Sequence, residues 1–307
     1  MRMAHRFSRV SLGLIAVLAG SLMLAAVATA AVITGGPGRD VKPGTADADQ
    51  ISTFGGADVA LGLGGNDTIK LGDGPDVGFG NGGDDQVWGQ DGRDVLFGNS
   101  GNDTLRGFQD ADRLYGNTGD DSLQGDVPGN SVGGNDRVFG GSGNDTIEGG
   151  EGRDRLHGGD GNDTSHGNRG NDLMSGGRGD DVQYGDEGND RIFANLGVDT
   201  TYGGLGNDSL WALARGDVAP AVNGVPDPVG DTLNGGDGDD RIHVRDGEVD
   251  NVTCGLGEDR VFADPADNIA GDCEFVKRFE PKARNTKDTR PKPEDKIQSP
   301  AEDNLQK

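Results

Sequence analysis

Aspartate recurs every nine residues along this chain. From Asp40 the series runs through Asp49, Asp58, Asp67, Asp76, Asp85, Asp94, Asp103, Asp112 and Asp121. After a six-residue insertion it resumes at Asp136, Asp145, Asp154, Asp163, Asp172, Asp181, Asp190, Asp199 and Asp208. Asp231 and Asp240, then Asp250 and Asp259, continue it. Carboxylates in this supply suit two kinds of chemistry. Pairs of them serve as acid and base in glycoside hydrolysis, and rows of them ligate hard cations, which prefer oxygen.

The residues around each aspartate decide what holds the row in phase. Gly140-Gly-Ser-Gly-Asn-Asp-Thr-Ile-Glu148 and Gly158-Gly-Asp-Gly-Asn-Asp-Thr-Ser-His166 give the unit in full. It is G-G-x-G-x-D-x-U-x, with U apolar, the pattern of a calcium-binding parallel β-helix. Fixed self-similarity marks a solenoid of stacked units. The glycines permit a tight turn, and x-U-x is a three-residue strand with U pointing inward. U is apolar at Ile51, Ile69, Val87, Leu96, Leu105, Leu114, Leu123, Val138, Ile147, Leu156, Ile192, Leu210, Leu233 and Ile242. Gly78, Ser165, Gln183 and Thr201 are exceptions that predict thin or polar core layers. Two units, 18 residues, make one coil. Equivalent aspartates then stack about 4.8 Å apart, where bare carboxylates repel by roughly 3–4 kcal/mol at an effective dielectric near 20.

Composition alone points elsewhere. After Ala30, Leu, Ile, Val and Phe supply 53 of 277 residues, and 25 basic residues face 53 acidic ones. That low hydrophobicity and a net charge of −28 are those of a disordered chain. The repeat argues for a fold, provided a multivalent cation neutralises the acid. The same charge argues against nucleic acid or an anionic membrane as partner. Calcium tolerates varied oxygen geometry, whereas magnesium demands tight octahedral coordination and zinc prefers His or Cys. His157 and His166 occupy one slot in consecutive repeats and project from opposite sheets; with His243 they read as solvated surface residues.

The repeats resemble the hemolysin-type calcium-binding repeats of the repeats-in-toxin (RTX) family over about three-quarters of the chain. The resemblance implies an all-β fold, a right-handed parallel β-roll, with calcium ions held between coils by aspartate carboxylates and turn carbonyls. Carried over to intact G-x-D units, the ligands are Asp58, Asp67, Asp76, Asp85, Asp94, Asp103, Asp121, Asp136, Asp145, Asp154, Asp163, Asp172, Asp181, Asp190, Asp199, Asp208 and Asp240. Asp49, Asp112, Asp231 and Asp250 follow Asp47, Asp110, Val229 and Glu248 where glycine is expected, so they stand outside that set. Residues 250–276 resemble the C-terminal cap of secreted actinobacterial calcium-binding proteins. Cys254 and Cys273 are the only cysteines, and export favours a disulfide between them.

Arg2, Arg6 and Arg9 precede an apolar stretch from Val10 to Val27 and the small residues Ala28-Thr29-Ala30. This reads as a secretory signal cleaved after Ala30, which makes the protein extracellular; an uncleaved anchor is the rival. Repeats fill 34–249, with insertions near 125–132 and 212–229 that loop out between strand and turn, the second carrying Pro220, Pro226 and Pro228. Residues 277–307, rich in charge and proline, read as a disordered tail. No H-E-x-x-H motif is present and the carboxylates read as metal ligands, so no enzyme is expected. Phe79, Phe97, Tyr115 and Phe139 share the outward slot after U, with Phe193 and Trp211 further on. They form either a ladder that stabilises the sheet or a docking stripe for cell-surface glycan or a second copy of the chain.

Overall fold

The computed structural model describes residues 30–127, 133–212 and 230–279. The signal segment to residue 29, most of both insertions with their four prolines, and the tail from residue 280 lie outside the described residues. The chain is a parallel β-solenoid of two sheets, thirteen strands each, into which successive strands alternate. We call the sheet that begins with Val32–Thr34 sheet one and the sheet that begins with Val41–Pro43 sheet two.

The 18-residue coil is visible in the register. In sheet one Thr68 pairs with Gln86 and Gln86 with Thr104; in sheet two Val77 pairs with Val95 and Val95 with Arg113. The insertions leave the stack undisturbed, because Leu123 still pairs with Ile147 and Thr201 with Leu233. The apolar U residues meet between the sheets as one continuous buried file, including Ile69, Val87, Leu105, Leu123 and Ile147 from sheet one and Leu96, Leu114, Val138 and Leu156 from sheet two.

Most strands are longer than the x-U-x reading predicts. Val77–Gly82, Val95–Ser100 and Arg137–Ser142 are typical, six residues each. Pairing continues through the glycine pair, as in Asn81↔Asn99 and Gly82↔Ser100. The second glycine slot is left-handed, and where it is not glycine it is often asparagine, as at Asn81 (φ 77°), Asn99 (φ 80°) and Asn117 (φ 79°); asparagine tolerates that region better than most residues. Gly143, two residues before Asp145, needs to be glycine for two reasons. Its φ is 128°, and a Cβ there would run into the Gly119 carbonyl one coil back.

The outward residues form ladders. Phe79, Phe97, Tyr115 and Phe139 stack face to face at 4.9, 4.9 and 5.1 Å between centroids. Phe193, Trp211, His243 and Phe262 continue the same file further along sheet two. The histidines are therefore not solvated surface residues. His243 is sandwiched between Trp211 and Phe262, His166 stacks on Tyr184 and accepts or donates a bond with Asp186 at 3.1 Å, and His157 sits edge-on to Phe139. Burial lowers the pKa of His157 and His243, while the Asp186 contact raises that of His166. His157 and His166 do lie on opposite sheets.

The solenoid ends on a disulfide between Cys254 and Cys273, with Cα atoms 5.2 Å apart. The last strand, Phe275–Arg278, pairs with Arg260–Ala263, so Lys277 and Arg278 belong to the cap and not to the tail.

Candidate metal centre

Stacking turns the nine-residue phase into two files of carboxylates, one along each edge of the solenoid. Asp67, Asp85, Asp103, Asp121, Asp145, Asp163, Asp181 and Asp199 lead into the strands of sheet one. Asp58, Asp76, Asp94, Asp136, Asp154, Asp172, Asp190, Asp208 and Asp240 lead into those of sheet two. All are buried. Asp49, Asp112, Asp231 and Asp250 stand in the same files despite their missing glycines and are equally buried. For Asp49 and Asp112 the signal that could have included them is the nine-residue phase itself; Asp250 breaks that phase.

A single bond pattern sets each carboxylate. The backbone N–H of one aspartate donates to Oδ1 of the aspartate one coil on: Asp67 to Asp85 at 2.7 Å, Asp85 to Asp103 at 2.8 Å, Asp136 to Asp154 at 2.8 Å. The pattern crosses both insertions, from Asp112 to Asp136 at 2.8 Å and from Asp208 to Asp240 at 2.8 Å. It closes at the cap on two residues that the nonapeptide pattern does not reach, Asp267 and Glu274, which accept from Asp250 and Asp259 at 3.3 and 3.0 Å. A second ladder runs outside the first in the opposite sense. Asn66 accepts from the N–H of Asp84, Asp84 from Asn102 and Asn102 from Asp120, at 3.0, 2.9 and 2.9 Å. This explains why Asn or Asp so often precedes the phased aspartate.

Oδ1 is thus satisfied and Oδ2 is not. Oδ2 of Asp67, Asp85, Asp103, Asp145 and Asp163 on one edge, and of Asp76, Asp94, Asp136, Asp154 and Asp172 on the other, is buried without a hydrogen-bond partner. An orphaned buried carboxylate oxygen costs several kcal/mol, far more than a fold of this core can carry repeatedly. Burial drives the carboxyls up, with neighbouring carboxylates in the file adding to the effect and the accepted N–H opposing it. Asp163 and Asp190 reach about 7, Asp121 and Asp136 about 8, Asp154 about 9 and Asp112 about 10.

Many of the orphans lie beside a carbonyl. A Cβ built on Gly140 would strike Asp145 Oδ2 and lie 2.5 Å from the Gly158 carbonyl oxygen. Gly62 stands in the same relation to Asp67 Oδ2 and the Gly80 oxygen, and Gly158 to Asp163 Oδ2 and the Gly176 oxygen. In these units the first glycine keeps open a cradle that brings together one anionic oxygen and one carbonyl oxygen. Carboxylate and carbonyl oxygens together are the donor set of calcium. No histidine or cysteine joins the files, so the donor set does not suit zinc.

One further acidic group departs from the pattern. Asp231, Asp246 and Asp250 bring carboxylate oxygens within 4.8 Å of one another near the cap. There the spacing from Asp240 to Asp250 is ten residues, and Val244 and Arg245 replace the glycine pair. Burial, then the Asp246 charge, pushes Asp250 to about 9. The extra residue brings Asp246 into the file, which periodicity could not foresee.

A parallel solenoid whose edges are lined by buried, unbonded carboxylate oxygens is a repeat fold completed by cations. Residues 34–69, 71–105, 106–126, 131–165, 157–190, 184–210 and 230–248 match the family model of the RTX calcium-binding nonapeptide repeat. The matches cover more than half of the chain, which therefore belongs to the RTX calcium-binding repeat family. Calcium is the ion that this membership supports. Among curated proteins none matches the chain.

Proposed function

We propose that this protein is an exported calcium-binding scaffold that folds when it meets extracellular calcium and serves a structural or adhesive role at or outside the cell surface. The observation that carries the reading is the file of orphaned Oδ2 atoms, most of them beside a backbone carbonyl of the next coil. The ligands in this reading are the aspartates of the intact repeats, joined by Asp49, Asp112, Asp231 and Asp250. Calcium supplies positive charge to the cradle; the chain supplies the oxygens, the glycines that admit it and the N–H bonds that aim each carboxylate. Export is supported by the basic and apolar N-terminal pattern and by the Cys254–Cys273 bridge, since disulfides persist outside the cytosol.

Affinity in the range of extracellular modules, about 10⁻⁴–10⁻³ M, keeps the chain open in the low calcium of the cell interior. The files link many sites through shared coils, so the transition is steep. Circular dichroism of residues 31–307 titrated with calcium and separately with magnesium tests this. A cooperative gain of β signal with calcium alone is expected. At pH 8, a β-rich spectrum in excess chelator, or an equal response to magnesium, overturns the mechanism.

No observation favours a catalytic reading. The carboxylates sit in identical, repeated surroundings, and no pair is set apart by its environment as acid and base would be.

A further inference from the structure

The two sheets differ in one slot, the outward residue immediately after each phased aspartate. In sheet two this slot holds Val41, Val59, Val77 and Val95 on the first four strands and then, in strand order, Arg113, Arg137, Arg155, Leu173, Arg191, Ser209, Arg241 and Arg260. In sheet one it holds Thr, Gln, Ser, Val or Asn throughout, from Gln50 to Asn268, and never a charge. All six arginines are exposed. Two exposed arginines outside the slot find acids, Arg169 with Glu151 and Glu187 and Arg178 with Asp160. Among the described residues the six in the stripe make no ion pair within 4.0 Å; Arg191 lies over Phe193 and Trp211, and Arg260 over Phe275.

Compensation of the aspartate file does not explain the stripe. Both sheets are led into by a file of equal construction, yet in the slot after the aspartate one sheet carries six arginines and the other none. A groove beside the stripe is lined by Arg137, Arg153, Arg155 and Arg191 together with the buried file aspartates Asp136, Asp154 and Asp172. A second hollow is lined by Arg93, Arg113 and Arg137 with the buried Asp94 and Asp112. The stripe crosses eight strands, about 34 Å at the usual strand spacing, with three consecutive guanidinium groups about 4.8 Å apart at Arg113, Arg137 and Arg155.

We infer that this face of sheet two binds a linear acidic polysaccharide through its carboxylates. Guanidinium groups hold carboxylates bidentately and resist desolvation less than ammonium groups do. A straight row at strand spacing suits an extended polymer with regularly placed charges. Nucleic acid fits less well, because its denser charge would meet the repulsion of a chain with net charge −28 after Ala30. The aromatic file beside the stripe is not a sugar platform. Its ring faces are spent on one another at 4.9–5.1 Å, which leaves recognition to the arginines. This inference deepens the surface role proposed above and is independent of which oxygens hold calcium.

The test uses a variant whose fold is protected by design. Arg137→Thr, Arg155→Thr and Arg191→Thr together install at the stripe the residue that Thr104, Thr146 and Thr164 already supply in the same slot of sheet one. The calcium-loaded protein is titrated with a hyaluronan decasaccharide, with neutral dextran and with a single-stranded DNA oligonucleotide of equal charge, while circular dichroism follows the fold. Salt-sensitive binding of hyaluronan alone is expected, weakened about tenfold or more in the triple variant at an unchanged spectrum. Equal binding by the triple variant, no hyaluronan binding by a folded protein, or DNA binding as tight as hyaluronan binding overturns the inference. Failure of the protein to gain β structure with calcium would instead count against the calcium-folding reading, so the two failures are separable.

Discussion

Removing calcium should turn the fold into a pH switch, and the direction follows from the aspartate files. Burial raises Asp163 and Asp190 from 3.8 to about 7. In the folded chain these carboxyls therefore bind protons that the unfolded chain has released, across the window from about 4 to about 7. A state that binds more protons loses stability as pH rises through that window. Below 3.8 both states are protonated and the penalty vanishes; above the raised pKa it is complete. About three pKa units correspond to roughly 4 kcal/mol per group. A few such groups match the whole stability of an ordinary domain, about 5–15 kcal/mol, and the files contain many. The calcium-free solenoid therefore cannot persist at neutral pH, whereas near pH 4.5 protons stand in for the cation. Far-UV circular dichroism of calcium-stripped protein between pH 4 and 8.5, alongside the same series in millimolar calcium, reads this directly. Calcium-free β signal should be present at the acid end and fade as pH rises, with the calcium series flat above pH 7. The calcium response should shrink toward pH 4.5, where protons occupy the same oxygens. Calcium-free protein as β-rich at pH 8 as at pH 4.5 would falsify the reasoning.

Gly140→Ala should lower the melting temperature, by about 1–3 kcal/mol of overpacking, and reduce the number of calcium ions bound, because its Cβ meets Asp145 Oδ2 and the Gly158 oxygen; unchanged calcium stoichiometry by titration with a calcium indicator would count against the cradle. Reduction of Cys254–Cys273 should cost about 3 kcal/mol for a loop of this length, read as a lower calorimetric transition at fixed calcium. Joint replacement of Phe79, Phe97 and Tyr115 by Thr removes three face-to-face contacts and should cost about 2–4 kcal/mol. Analytical ultracentrifugation should show no change in self-association; lost association at an unchanged melting temperature would restore the docking stripe.

The aspartate phase made the fold legible because a nine-residue period leaves few ways to stack. It fixed which residues point inward and that equivalent aspartates lie one coil apart, and the aromatic file of sheet two followed from the same alternation. What periodicity could not show is how each carboxylate divides its oxygens. That depends on the N–H of Asp67 reaching Asp85 and on the Gly80 carbonyl turning toward Asp67, relations between coils that have no trace in a single repeat. Glycine proved a poor filter at Asp49 and Asp112, whose burial is set by the coils stacked on them. The histidines were misread for a related reason. His243 looks exposed in its own strand, but the rings of Trp211 and Phe262, one coil away on either side, cover both its faces. The cap was the least legible part, since Asp267 and Glu274 enter the files at spacings of 17 and 15 residues instead of 18.

The ladders also answer a difficulty that the core raises. In sheet one Ser165, Gln183 and Thr201 stack on consecutive strands, so three adjacent coils lack an apolar residue on that side. Gln183 is polar but bonded, its side-chain amide donating to the Phe193 carbonyl at 3.1 Å and accepting from the Gly176 N–H at 2.9 Å. In a solenoid, stability is a sum over neighbouring units, so a run of weak layers marks where the stack would part. The residues that follow these three are His166, Tyr184 and Tyr202, stacked at 4.4 and 4.9 Å on the outer face of the same strands. The fourth exception, Gly78, is followed by Phe79, which begins the long file of sheet two. Each coil with a deficient core position thus carries a ring directly behind it. Stacked rings contribute about 0.5–1.5 kcal/mol per pair beyond the area they bury, a useful fraction of what a missing inward side chain of about 1.5–3 kcal/mol would have supplied. The outer rings substitute in part for the inner core, and the cation files, which run without interruption past these coils, carry the remainder.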